Sequence, residues 1–340
     1  MNAGRDLPRL GAVAAIAVLG FLPMARLPAF YDSFLYLIFF WVSLSTSWAL
    51  LSGFAGYFSL GHAAFFGVGL YTTAVLTTKF GWPFLPTLPV AAAIPALLAV
   101  GIGAIVFRLR RLRGELFALL TLSVTFVIAT IILNTPIDGG GGIFMSAVPL
   151  PAIMPTPTGS IYLLGFVICV ATLAIAWTVA HSRLGMGLFA IHDDEDVAEA
   201  KGVPTFRYKM AAFALSAGIA GLGGGLLAML DTQANYQANF SPFFGLVWLV
   251  LVVTVSARTV EGAVVAGFAL ALVPELLKEV GISLEFQYVL FGLGALTYAR
   301  HPEGILEAQK RSVIGFVQRR IDRRHPPAAL APGAPEAMTP

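Results

Sequence analysis

Residues 181–209 read HSRLGMGLFAIHDDEDVAEAKGVPTFRYK, a polar island with a long apolar run on either side. Only 11% of the chain is charged, so a cluster this dense has to sit in water. At 29 residues it is too short to fold alone and long enough to present one short helix to a partner.

Outward from the island the chain is apolar. Hydrophobic residues make up 58% and the mean hydropathy is +0.83, where soluble domains sit at roughly 45–50% apolar and about 25% charged. The runs have helix length rather than barrel-strand length, which predicts an all-α polytopic membrane protein with some short or broken helices. Ten candidate spans can be drawn, over 9–25, 30–51, 57–78, 86–107, 115–134, 160–180, 210–230, 243–257, 261–277 and 284–299. The first lacks a small-residue cleavage site before Pro23–Arg26 and reads as a retained helix. With both termini in the cytoplasm, 18 of the 21 Lys and Arg residues fall inside, and only Arg26, Lys79 and Lys278 fall outside. That split is the one the positive-inside rule expects, and it places the island in the cytoplasm. The net charge of +3 therefore reflects anchoring, not nucleic-acid binding.

Three regions can be divided: residues 1–307 as the transmembrane domain, 308–324 as a basic and interfacial helix, and 325–340 as a disordered Pro/Ala-rich tail. The single cysteine, Cys169, lies in a span and permits no internal disulfide or Cys-rich metal site. No cofactor is implied.

The segment Leu51–Tyr71, LSGFAGYFSLGHAAFFGVGLY, carries five glycines with Ser59 and His62 among them. Glycines in a membrane helix allow close backbone approach, and they allow breaks where backbone lines a cavity. Gly56, Ser59, Gly61 and His62 thus read either as a broken helix along a translocation path or as a packing face. In Gly114–Asn134, Thr121 and Thr125 share a helix face and Ser123 lies on another. Thr121 and Thr125 are either a polar stripe toward that path or hydroxyls bonded to the preceding turn. Asp138 and Gly139–Gly142 form a loop outside that either gates a cavity or merely links. GIAGLGGG at 218–225 lies inside a span with no strand before it, so it reads as a GxxxG packing face of Gly221 and Gly225, not a dinucleotide site. No GxxxxGK[ST] occurs, so a P-loop ATPase does not reside in this chain. Paired catalytic carboxylates and HExxH are absent too, and the chain reads as a non-enzyme.

In the island, Asp193 or Asp194 can cap a short helix in which Glu195, Asp196 and Glu199 suit the dipole, with Gly202 and Pro204 ending it. Ile191, Val197 and Ala200 offer a small apolar contact.

Several stretches together resemble one family. LSGFAGYFSLGHAAFFGVGLYT, RLRGELFALLTLSVTFVIATIILN, SRLGMGLFAIHDDEDVAEAKGVPTFRYKMAAFALSAGIAGLGGGLLA and YVLFGLGALTYARHPEGILE are similar, in order, to the permeases of branched-chain amino acid ABC importers, LivM-type subunits in particular. The resemblance spans about residues 30–307. It implies ABC importer permease architecture at the cell inner membrane. It also implies a coupling loop, over which Arg183, Gly185, Asp193, Asp194, Glu195, Glu199 and Gly202 are carried. The partners it implies are a second homologous permease, two ATP-binding subunits and an extracytoplasmic solute-binding protein. The chain departs from the family at Met186, Gly187 and His192, where basic residues are frequent, and at TVSARTVEGAVVAG before the late spans. Permeases of urea and short-chain amide importers look alike at this level. A self-sufficient secondary transporter is the rival from another class, disfavoured because nearly all acidic residues lie in loops or at span ends.

Overall fold

The computed structural model describes residues 29–283, apart from 110–113, 138–139, 146–147, 150, 231–232, 236–238, 241–257 and 282, together with Phe286 and Val289. The helices are α1 (Ala29–Trp48, continued by a π-helical turn Ala49–Gly53), α2 (His62–Thr78), α3 (Phe84–Val106) and α4 (Glu115–Leu133). Then follow β1 (Ile143–Phe144), α5 (Pro157–Ala180), α6 (Arg183–Asp193), α7 (Glu195–Ala200), α8 (Thr205–Leu227), β2 (Gln233–Ala234) and α9 (Val260–Glu279). The chain is an all-α polytopic membrane protein. Among the described residues, α1 with its extension, α3, α4, α5, α8 and α9 are long and apolar enough to cross a bilayer. The expected spans 9–25, 243–257 and 284–299 lie outside the described residues, save the two isolated positions in the last. So do the tail and the Asp138–Gly139 part of the Gly-rich loop.

One expected span is corrected. The run 57–78 is not helical from its start: α2 begins only at His62 and has 17 residues. Residues 54–61 are irregular, and Gly56 holds a φ of +74° that ordinary side chains rarely adopt.

α1 and α8 form the centre. The apolar window of α1 is 78% buried and that of α8 61%, against 28% in α3, α4 and α5, whose outward faces expose residues such as Leu97, Leu119 and Phe126 as lipid-facing helices do. α8 packs against α2 and α3 by small residues. A methyl group on Gly224 would run into the Phe66 carbonyl, and one on Gly69 into the backbone of Gly221. A methyl group on Gly221 would run into Pro95 and the Ala91 carbonyl of α3, and one on Gly225 into the Ala91 side chain. Helices in lipid gain their association from such close packing, because burial of apolar surface gives no drive there.

Contacts sort the helix ends into two sets. At one end Lys79 donates to the carbonyls of Pro136 and Ile137, Ile143 pairs with Ala234, and Thr158 donates to Asp32. At the other end lie the break 54–61, Phe107 after α3, and the island helices α6 and α7. Arg108, Arg183, Lys201, Arg207, Lys209 and Arg258 gather at this island end; Lys79 and Lys278 are the cations of the opposite end among the described residues.

Candidate functional site

The break between α1 and α2 leaves backbone groups without helical partners, and side chains meet them. Trp48 Nε1 donates to the Ser59 carbonyl (2.9 Å), Ser59 N to Ser52 Oγ (3.2 Å), Gly61 N to Ser59 Oγ (3.2 Å) and Leu60 N to Thr121 Oγ1 (3.0 Å). A backbone buried in a membrane protein needs such partners. His62 closes the break, with Nδ1 3.2 Å from Ser59 Oγ and Nε2 2.6 Å from Ser216 Oγ on α8. The Ser216 hydroxyl donates to the Ser47 carbonyl (2.6 Å), so its oxygen accepts from Nε2–H. Ser47 Oγ returns a bond to the Ser216 carbonyl (2.7 Å). His62, Ser216 and Ser47 thereby rivet α2, α8 and α1 together.

The expected path residues are therefore internal, with the exception of Gly56. Ser59, Gly61, His62, Thr121 and Thr125 are buried and Gly56 is exposed. Thr121 donates to the Phe117 and Ala118 carbonyls and Thr125 to Thr121, while Ser123 points outward. None of these residues lines the apolar groove of about 520 Å³ between α2, α3 and α4, which is walled by Tyr71, Leu76, Ile94 and Ile131 among others.

The island forms two helices, not the single one expected from Asp193 or Asp194 onward. Ser182 caps α6 by accepting from Gly185 N (3.3 Å), and Leu188 and Ile191 bury one face of it. Gly185 and Gly187 make room for the α5 backbone and the Tyr208 ring. Asp194, in extended conformation, separates the two helices and caps α7 through Val197 N (3.0 Å). Gly202 follows with a φ of +86°. Ile191 faces inward, whereas Val197 and Ala200 are exposed. Arg183, Asp193, Asp194, Asp196 and Glu199 also face outward, with Met186 and Phe206 beside them.

Glu195 is the exception among the island acids. Its Oε1 lies 2.5 Å from Lys209 Nζ on α8, and its Oε2 accepts from the Tyr57 hydroxyl at 2.5 Å. Lys209 also donates to Tyr57 Oη (3.0 Å) and sits over the rings of Tyr57 (4.8 Å) and Phe107 (5.2 Å). All three side chains are buried. The break and the island are thus one unit: Phe54 meets Phe189 with ring centroids 5.0 Å apart, and a Cβ on Gly56 would lie 3.1 Å from the His192 ring. Burial holds the His192 imidazole below its ordinary range, and nearby Arg258 pushes the same way, against a bond with the Gly53 backbone and the charge of Asp193. A further tie, Arg258 to Asp193 at 2.5 Å, is exposed.

The sequence alone missed Tyr57, Lys209, Ser47 and Ser216. The spacing of Lys209 and Ser216, seven residues apart on one face of α8, was the available signal. Among the described residues no group of three or more His, Cys, Asp or Glu is placed to hold a metal.

The family described as "Branched-chain amino acid transport system / permease component" matches residues 30–297. The high-affinity branched-chain amino acid transport system permease proteins LivM of Salmonella typhimurium and of Escherichia coli are each 25% identical over 282 residues, 75% of this chain and 64% of theirs. The chain thus spans just under two thirds of the length of these relatives. No solved structure matches.

Proposed function

The chain belongs to the family of branched-chain amino acid transport system permease components, and from that premise we propose that it is the permease subunit of an ATP-driven importer for branched-chain or related amino acids. Its working unit pairs it with a second homologous permease, two ATP-binding subunits and an extracytoplasmic solute-binding protein. The island end faces the cytoplasm, as the gathering of Arg and Lys there supports. Both termini then lie in the cytoplasm too.

The carrying observation is that the island is two capped helices, outwardly acidic, seated on a break in the membrane helices. The outward residues Asp193, Asp194, Asp196, Val197 and Glu199 are the docking face for an ATP-binding subunit. Arg183, Gly185 and Gly202 shape it. A docked subunit that changes shape with nucleotide favours one position of α6 and α7 over another, and that difference drives the switch. Gly56, Ser59, Gly61, His62, Thr121 and Thr125 belong to the wall of the path: their role is to set and brace the break rather than to hold solute. A weakly binding path suits transport.

Uptake of labelled leucine, isoleucine and valine in cells with and without the chain tests this. Chain-dependent uptake should vanish on ATP depletion and survive collapse of the ion gradients. Chain-dependent uptake that follows an ion gradient in ATP-depleted cells would replace this reading with a self-sufficient carrier.

A further inference from the structure

We propose that Glu195, Lys209 and Tyr57 are the joint through which displacement of α7 reaches the membrane helices. They are positioning residues for transport, and the proposal rests on the reading of residues 181–209 as the docking face. Three elements that share no continuous helix meet in these side chains. Glu195 is the first residue of α7, Lys209 lies in the second turn of α8, and Tyr57 lies in the irregular segment 54–61. α7 has six residues, too few to hold a helix by its own hydrogen bonds. Its main chain runs on only through the short turn into α8, so side-chain contacts are what join it to the segment 54–61.

Two of the ion pairs that tie the island to other elements differ in their settings. The Arg258–Asp193 pair has side chains 37% and 69% exposed, so water and salt screen it. The Lys209–Glu195 pair has side chains 5% and 8% exposed. Separating buried opposite charges without new partners is costly, so Glu195, Lys209 and the Tyr57 hydroxyl move as one body. The buried tie transmits; the exposed one yields.

The joint also has somewhere to transmit to. Tyr57 packs edge-on against Phe107 and Phe117 (5.4 and 5.2 Å), which reach the ends of α3 and α4. Two residues after Tyr57, Ser59 bonds Trp48 through its carbonyl and His62 through its hydroxyl. A shift of α7 drawn through Tyr57 thus pulls on the link between α1 and α2, and through Lys209 on the first turns of α8.

The test uses the assembled transporter in membranes and measures the permease present, the ATP-binding subunit retained, and solute taken up per ATP hydrolysed. The variants are Tyr57→Phe, the neutral double Glu195→Gln/Lys209→Met, and the charge swap Glu195→Lys/Lys209→Glu. The neutral double leaves no buried unpaired charge. It should assemble, keep its ATP-binding subunit and hydrolyse ATP, with uptake per ATP down about tenfold. Tyr57→Phe should lower the ratio in the same sense, and the swap should recover part of it. A wild-type ratio in both the neutral double and Tyr57→Phe overturns the joint. So does a neutral double that loses permease, bound subunit and uptake in step, since that is a folding defect alone. Charge reversal at the outward Glu199 separates the two readings: if it changes neither subunit retention nor the ratio, the docking reading fails and the joint falls with it.

Discussion

Lys209 and Glu195, 14 residues apart across the turn between α7 and α8, form an ion pair at 2.5 Å in a nearly dry setting. Removing one partner strands the other. Lys209→Met alone should therefore destabilise the purified chain by about 3–5 kcal/mol, with the double Glu195→Gln/Lys209→Met recovering most of that. Thermal unfolding in detergent checks it. Single and double variants of equal stability would mean that water reaches the pair.

The contact between α2 and α8 is set by glycine. Gly69→Ala drives a methyl group into the backbone of Gly221, which cannot move aside. A loss of about 1–3 kcal/mol or more is expected, seen as less folded protein in membranes. Gly101→Ala on α3 meets nothing within 4 Å and should leave the level unchanged.

The His192 imidazole is held below its ordinary 6.5 by burial first and by Arg258 second. The unfolded chain then binds more protons than the folded one once the pH drops below that ordinary value. Stability from this residue is whole above 6.5 and declines as the pH falls toward the lowered folded value. His192→Asn should flatten the loss of thermal stability between about pH 7 and about pH 5 relative to the parent chain. An unchanged slope would assign the acid sensitivity to other groups.

Much of this fold is legible in the residues, and the reasons for the rest are physical. Long apolar runs mark α1, α3, α4, α5, α8 and α9 because the bilayer fixes their length and polarity. The glycines at 53, 56 and 61 signal a break, but composition could not tell a path from a brace. The rivet from His62 to Ser216 spans 154 residues, and no local pattern encodes it. In α6 the pattern of Leu184, Leu188 and Ile191 is diluted by Gly185 and Gly187, so the helix went unread. Glu195 looks like its neighbours Asp194 and Asp196 in sequence, and only the arrival of Lys209 and Tyr57 turns it inward. The ladder of β1 and β2 has two residues per strand, too short for any alternation to show.

Sidedness is open to direct labelling. In a Cys169→Ala background, Phe80→Cys replaces a side chain 67% exposed at the end opposite the island, and Val197→Cys one 48% exposed on α7. A membrane-impermeant thiol reagent should modify position 80 in intact cells and position 197 only after permeabilisation. The reverse pattern would invert the orientation.

Docking of an ATP-binding subunit on α7 is open to direct capture. The most direct measurement is thiol cross-linking from Val197→Cys, in the Cys169→Ala background, within the assembled transporter. The expected result is a cross-link to an ATP-binding subunit whose yield changes between nucleotide-free and ATP-trapped states, with none from Phe80→Cys. A transporter that takes up solute on ATP while position 197 never cross-links to that subunit in either state would contradict it.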